Sequence, residues 1–263
     1  MSTAVGLAGA WVAYDFGNFL LTSPEMALIH PEQVALAGNH YVAPARVLEI
    51  FAADRGKSVL RIPLDQRRRE IEALPWVEQA TVRRVIPNRV EVEIAERVPV
   101  AFLRESTDMA LVDSHGVILE RPLEGNFHFP VVTGIVTEMT PEERERRMQL
   151  FSGFTQQIES ARSGAIDQVS EVDLADASDL RATLTGLGGA ADEPVLVNFG
   201  DSDFAGKYQT LVADIGLWRA KAGRVQSVDL RFSREAVVNQ DALAAVPRRP
   251  PKKAAVRKAK RSR

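Results

Sequence analysis

Residues 74–101 read LPWVEQATVRRVIPNRVEVEIAERVPVA, and their pattern decides the fold. Ala80 and Val82 alternate with Thr81 and Arg83, and Val90, Val92 and Ile94 alternate with Glu91 and Glu93. A period of two sends successive side chains to opposite faces of a strand, so two strands are expected here. Pro87-Asn88-Arg89 between them carries turn residues, which makes the pair a hairpin. Arg83 or Arg84 then lies across from Glu91 or Glu93, a pairing worth roughly a few tenths of a kcal/mol. Leu74-Pro75 ends the element before the hairpin, because the residue preceding a proline disfavours the helical basin. Trp76 is placed as a core plug behind that helix end. The stretch builds a surface and holds no catalytic set.

Upstream, Val34-Ala35-Leu36-Ala37 followed by Gly38-Asn39 reads as a short strand ending in a turn. Pro44 opens a helix with Val47, Leu48 and Phe51 at helical spacing, which Gly56 is expected to stop. Pro63 and Asp65 start a second helix with a thin apolar stripe of Leu64, Ile71 and Leu74. Arg67-Arg68-Arg69 is expected on the wet side of that helix rather than in an anion site. Residues 30–97 therefore read strand, helix, helix, strand, strand.

Downstream, Thr140-Pro141-Glu142-Glu143 is a capping box with proline at the first helical position. Met148, Phe151, Phe154 and Ile158 follow at helical spacing. Strands are expected at Glu171–Leu174, near Leu180–Leu184 and at Val195–Phe199. Phe204, Tyr208, Leu211, Ile215 and Trp218 form a buried helix stripe. VQSVDLRF and AVVN close the folded part as two strands with a short break at Ser233-Arg234-Glu235, the last at a sheet edge. Helices on a mixed or antiparallel sheet make this an α+β chain.

With 263 residues there is room for about two domains, and 45% apolar residues support packed cores. The absence of cysteine removes disulfides, thiolate chemistry and cysteine zinc sites. The net charge of −2 conceals an asymmetry: residues 248–263, RRPPKKAAVRKAKRSR, hold nine Lys or Arg and no acid. Without those nine bases, 24 remain against 35 acids, a net of −11. The basic run is expected to be a disordered, solubilising arm. Contact with anionic lipid or an anionic envelope polymer is the other reading. Nucleic-acid binding is not expected, because no aromatic is present to stack on bases.

At the other end, Ala4–Tyr14 is apolar and then meets Asp15 and Asn18 among Trp11, Phe16 and Phe19. A spanning helix needs about 20 apolar residues, and a mid-bilayer aspartate costs about 3 kcal/mol. Asp15 belongs at the membrane–water boundary, and the segment reads as the outer half of a spanning helix whose start lies upstream. A buried N-terminal helix of a soluble protein is the alternative.

Sites for chemistry do not emerge. There is no Gly-x-Ser-x-Gly elbow, P-loop or Gly-x-Gly-x-x-Gly. His30, His40, His115 and His128 are too scattered for a metal set. Asp113-Ser114-His115 reads as a turn, since adjacent side chains cannot line up as nucleophile, base and orienter. Asp201 and Asp203 are expected to cap a helix start. No catalytic, cofactor or metal site is expected.

ProTrpVal-x-x-Ala-x-Val-x-Arg, ProAsn-Arg and Glu-Arg-x-ProValAla, in this order of elements, resemble the POTRA domain of the bacterial cell-division FtsQ/DivIB family. Leu111–Ile118, Phe129–Gly134 and Ser227–Phe232 resemble motifs of that family's second domain, in the family's order. The resemblance implies an α+β chain with a membrane-helix remnant at 1–23 and a POTRA domain at 24–97. A β domain at 98–240 with an exposed C-terminal edge strand and a basic tail at 241–263 complete it. It implies a non-enzymatic, single-pass scaffold of the cytoplasmic membrane, its bulk outside, at the division site. Its implied partners are FtsB and FtsL, taken by strand addition during septum formation, and other divisome membrane proteins. Carried over by position, the docking residues are Arg231, Phe232, Ser233, Arg234, Glu235, Ala236, Val237, Val238 and Asn239. Phe232 would be an apolar anchor and Arg231 a partner for acidic side chains. Gln240 stands where some family members carry an aromatic. A POTRA-bearing outer-membrane assembly or secretion component is the alternative, but it should continue into alternating barrel strands.

Overall fold

A computed structural model describes residues 11–239, apart from 12, 13, 16, 18, 20, 106–107, 123–124, 189–192 and 233–234. Two compact units divide between Gln149 and Leu150.

The first unit opens with β1 (Val34–Ala37), α1 (Pro44–Ile50), α2 (Leu64–Glu72), β2 (Val77–Val85) and β3 (Arg89–Glu96). β3 is central: it runs antiparallel to β2 and parallel to β1, in the order β1-β3-β2. A parallel pair cannot be joined by a tight turn, and the two helices supply part of the long connection. The alternation along β3 buries Val90, Val92 and Ile94 and exposes Arg89, Glu91 and Glu93. Gly38 leaves β1 at φ +79°, where a Cβ would collide with the carbonyl oxygen of Ile94. Only glycine fits there.

Two sequence readings in this region are corrected. α1 ends at Ile50, well before Gly56, because the chain tightens into a 3-10 turn at Ala52–Asp54. That turn carries the Asp54 carboxylate inward to meet Arg67, at 2.6 Å from Nε and 3.2 Å from Nη2. Arg67 is therefore buried and is not on the wet face, whereas Arg68 pairs with Glu72 at 2.8 Å. Lys57 adds a third cationic contact to Asp54 at 3.0 Å. Burial opposes ionisation of Asp54, but the hydrogen bonds from Arg67 and Lys57 outweigh it and hold its pKa below the ordinary 3.8. Arg83 lies opposite Glu91 with its guanidinium 3.7 Å from the carboxylate, an exposed pair. Arg84 turns instead onto the carbonyls of Val59 and Ile62, at 2.8 and 2.6 Å.

β4 (Pro99–Glu105), β5 (Asp108–Asp113), β6 (Ile118–Leu119) and β7 (Val131–Thr133) follow in the order β7-β4-β5-β6. Contacts run across the boundary drawn at 97/98. The Trp76 indole donates to the Glu120 carbonyl at 3.0 Å, and Arg97 Nη1 meets Asp113 Oδ2 at 2.9 Å. Leu111 and Leu119 join the buried cluster that contains Val77 and Val90. The other oxygen of Asp113 accepts the N–H groups of His115 and Val117 at 2.9 and 2.7 Å. Asp113-Ser114-His115 is thus a carboxylate-closed turn.

α3 (Pro141–Ala161) begins where Thr140 Oγ1 accepts the Glu143 N–H at 3.3 Å, and it buries Met148, Phe151, Phe154 and Ile158. The division between the units falls within it. In the second unit, β8 (Val169–Asp173), β9 (Leu180–Leu184), β10 (Val195–Gly200), α4 (Phe204–Ala222), β11 (Ser227–Asp229) and β12 (Val237–Val238) follow. Their strand order is β12-β11-β10-β9-β8. β10 and β11 are parallel with α4 as the crossover, and the other pairs are antiparallel. Phe154 packs edge-on against Phe199 and Phe204, with centroids 5.1 and 5.5 Å apart.

The chain is α+β, as expected. Three details differ. β11 stops at Asp229, short of the expected 225–232, because the chain bends as Asp229 gathers Arg231. Asp203 makes no side-chain cap; it sits at φ 52°, and Gln157 Oε1 accepts the Phe204 N–H at 3.0 Å instead. Trp218 is only half-buried. Among the described residues no helix is long and apolar enough to cross a membrane. Residues 1–10 and the basic tail lie outside the described residues, while Trp11, Tyr14 and Phe19 are exposed.

Candidate partner-docking site

β12 ends the strand order of its sheet, so which way its backbone groups point decides what it can do. Val237 lies opposite Asp229 and Val238 opposite Val228. The Asn239 N–H donates to the Ser227 carbonyl at 2.8 Å, so Val238–Val228 is the non-hydrogen-bonded pair of this ladder. Val237 therefore exchanges hydrogen bonds with Asp229. The N–H and C=O of Val238 point away from β11, toward the outer edge.

Asn239 closes the edge. At φ 61° its Oδ1 accepts the N–H groups of Gln226 and Ser227, at 2.8 and 3.4 Å, and its Nδ2 donates to the Arg224 carbonyl at 2.8 Å. Asparagine tolerates this left-handed geometry better than most residues. Arg231 is held from two sides: its Nε donates to both oxygens of Asp229, at 3.0 and 3.1 Å, and Nη1 to Asp179 Oδ2 at 3.1 Å. Burial raises the Asp229 pKa, but the hydrogen bonds from Arg231 prevail and hold it below 3.8. The guanidinium expected to reach a partner's acid is thus engaged with this chain's own aspartates.

That clamp precedes Phe232, which is 55% exposed. A groove of about 460 Å³ opens beside it, with α4 as one wall and Leu230, Phe232, Glu235 and Ala236 on the other side. Leu230, Trp218 and Phe232 give it apolar surface; Asp203, Asp214 and Glu235 line it with carboxylates. Gly206 makes room for Asp203, whose Oδ1 would lie 2.7 Å from a Cβ there. Lys207 also faces the groove, but its ammonium binds the carbonyls of Phe199 and Ser202 at 2.6 and 2.7 Å.

Of the nine residues named from the sequence, Ser233 and Arg234 lie outside the described residues. Phe232, Glu235 and Ala236 line the groove, Val237 and Val238 form the edge, and Arg231 and Asn239 hold it in place. Sequence reasoning missed the α4 wall. Trp218 ends a buried stripe on paper, and the signal against burial is Asp214 one helical turn before it.

Residues 29–97 match the POTRA domain, FtsQ-type, and residues 101–231 match the C-terminal domain of cell division protein FtsQ/DivIB. The chain is 31% identical over 244 residues to cell division protein FtsQ of Koribacter versatilis, covering 92% of this chain and 68% of that protein. It is 25% identical over 215 residues to the protein of that name from Syntrophotalea carbinolica, covering 80% and 74%. A third, from Myxococcus fulvus, is 26% identical over 197 residues, covering 73% and 66%.

Proposed function

The chain belongs to the FtsQ/DivIB family of cell-division proteins, and from that premise we propose that it is a non-enzymatic divisome scaffold whose C-terminal edge takes a strand from FtsB, which travels with FtsL. The observation that carries this reading is the outward orientation of the Val238 N–H and C=O at the end of the sheet order. A strand laid against such an edge gains main-chain hydrogen bonds, while alternate side chains find pockets. Phe232 beside the groove is the apolar anchor. Arg231 and Asn239 position the edge rather than touch the partner.

The apolar run before Tyr14, with Trp11, Tyr14 and Phe19 exposed, supports a single-pass anchor in the cytoplasmic membrane. The folded units then lie on its outer side at the septum.

Phe232→Ala is expected to weaken binding of a soluble FtsB segment by about 10- to 30-fold, as truncating a central apolar anchor does. The melting temperature should hardly change, because Phe232 is more than half exposed. Titration calorimetry on both proteins reads the loss. Unchanged affinity would remove Phe232 from the interface and count against this edge.

A further inference from the structure

On one rim of the first unit, the turn between β2 and β3 meets the chain that leaves the N-terminal helical residues. The described residues of 11–22 are helical, and the Ser23 N–H donates to the Phe19 carbonyl at 2.7 Å. The chain then enters the unit at once. Met26, Ala27 and Leu28 are buried, and Leu28 exchanges backbone hydrogen bonds with Gly56 and Lys57 at 2.8 and 2.9 Å. Gln33 fastens the same stretch to the turn: its Oε1 accepts the Ile29 and His30 N–H groups at 2.6 Å each, and its Nε2 donates to the Asn88 carbonyl at 2.9 Å. Ile29 is thus tied to residues 55–57 through Leu28 and to residues 86–89 through Gln33.

Apolar side chains stand open on this rim. Ile29 is 49% and Ile86 60% exposed, and Pro87 is exposed beside them. Arg55 and Arg89 flank them, both exposed and in no ion pair among the described residues. Lys57 is taken up by Asp54 at 3.0 Å, and Glu25 and Glu32 are exposed nearby in sequence, so the charges around the two isoleucines roughly balance. Guanidinium groups around apolar side chains suit the headgroup layer of a bilayer, where the apolar group reaches the acyl boundary and the guanidinium takes a lipid phosphate. Such a layer is within reach. From Thr22 to Ile29 is seven residues, at most about 25 Å when extended, and the 3-10 turn at Pro24–Met26 shortens the path.

We propose that this rim rests on the outer surface of the membrane, with Ile29 and Ile86 inserted among the phospholipid headgroups and Arg55 and Arg89 on their phosphates. The contact holds the first unit against the bilayer instead of leaving it free on a tether. It rests on the single-pass anchor reading above, in which Trp11, Tyr14 and Phe19 mark the membrane boundary, and it is independent of strand addition at β12.

The full chain in phosphatidylcholine nanodiscs tests this, with a gadolinium chelate on a fraction of the headgroups. Line broadening is read at the amides of Lys57 and Asn88, on the two sides of the rim, and at Phe19. The Glu78 amide is the reference, because seven strand residues place it about 20 Å from Val85 and the turn. Over such a distance Lys57 and Asn88 should broaden at least about fivefold more than Glu78. Ile29→Asp with Ile86→Asp should bring both down to the Glu78 level while Phe19 stays broadened. The melting temperature should hardly move, because both isoleucines are about half exposed or more. Arg55→Ala with Arg89→Ala, both at exposed positions, should lower the excess as well. Phe19 broadened with Lys57 and Asn88 at the Glu78 level would overturn the rim contact and leave the anchor standing. An excess that survives the isoleucine variant would come from tethering alone and overturn it too. No broadening at Phe19 would remove the anchor and the proposal with it. Shifts at the rim that track the number of chains per disc would make a second copy the occupant, against the proposal.

Discussion

Val238→Pro is expected to lower the affinity for a soluble FtsB segment by at least about a hundredfold while leaving the chain folded. Proline removes the amide that points to the outer edge and puts a ring where an incoming strand would lie. The cost to the free protein is small, because an edge position whose N–H faces outward is where a sheet tolerates proline. Val237→Pro makes the contrast. Its N–H faces Asp229 inside the ladder, so that variant should loosen β12 itself and lose binding together with local structure. Isothermal titration with circular dichroism on both variants separates the two effects. Full binding by a folded Val238→Pro chain would move the docking surface off this edge.

The second large effect concerns stability. Asp54→Ala is expected to cost about 3–5 kcal/mol, the range found when one partner of a buried ion pair is removed. Asp54 is fully buried and Arg67 nearly so, and without the aspartate Arg67 keeps, among the described residues, only the partly exposed Glu70 at 2.6 Å. On a fold of about 5–15 kcal/mol such a loss shows as a large shift of the denaturation midpoint. Replacing both residues by apolar ones of similar size should recover much of it. The same pair sets an acid limit. Because the Asp54 pKa is lower in the folded chain than the ordinary 3.8, its stabilisation is complete above that value and fades as pH falls through the folded pKa. Urea midpoints measured from pH 6 down to about pH 3 should therefore fall more steeply for the wild type than for Asp54→Ala. Parallel slopes would show that Asp54 is not ionised in the fold.

How far the sequence could be read is clear from particular residues. The 80–94 alternation marks the hairpin because period two is a local property of a half-buried sheet, and Arg83 lies opposite Glu91 as the register requires. The α3 stripe is equally local, since all four of its apolar residues are buried. Arg67 was not legible. Its neighbours Arg68 and Arg69 look the same in sequence, and only the 3-10 turn at 52–54, thirteen residues away, brings a carboxylate to it. The end of β11 was hidden for a similar reason. VDLRF alternates like a strand, but the hydrogen bonds between Asp229 and Arg231 bend it. At the candidate docking site, the position of the sheet edge was visible, whereas the outward direction of Val238 follows from the register with Val228, which no single-strand pattern contains.

Amide hydrogen exchange at Val238, with and without a saturating FtsB segment, reads strand addition at this edge residue by residue. The free chain should exchange Val238 rapidly and Val237 more slowly, because only the latter faces β11. Strand addition predicts that the partner slows Val238 by about a hundredfold or more, as a new ladder bond forms, with little change at Val237. A saturated complex in which Val238 still exchanges at its free rate would rule out strand addition at β12.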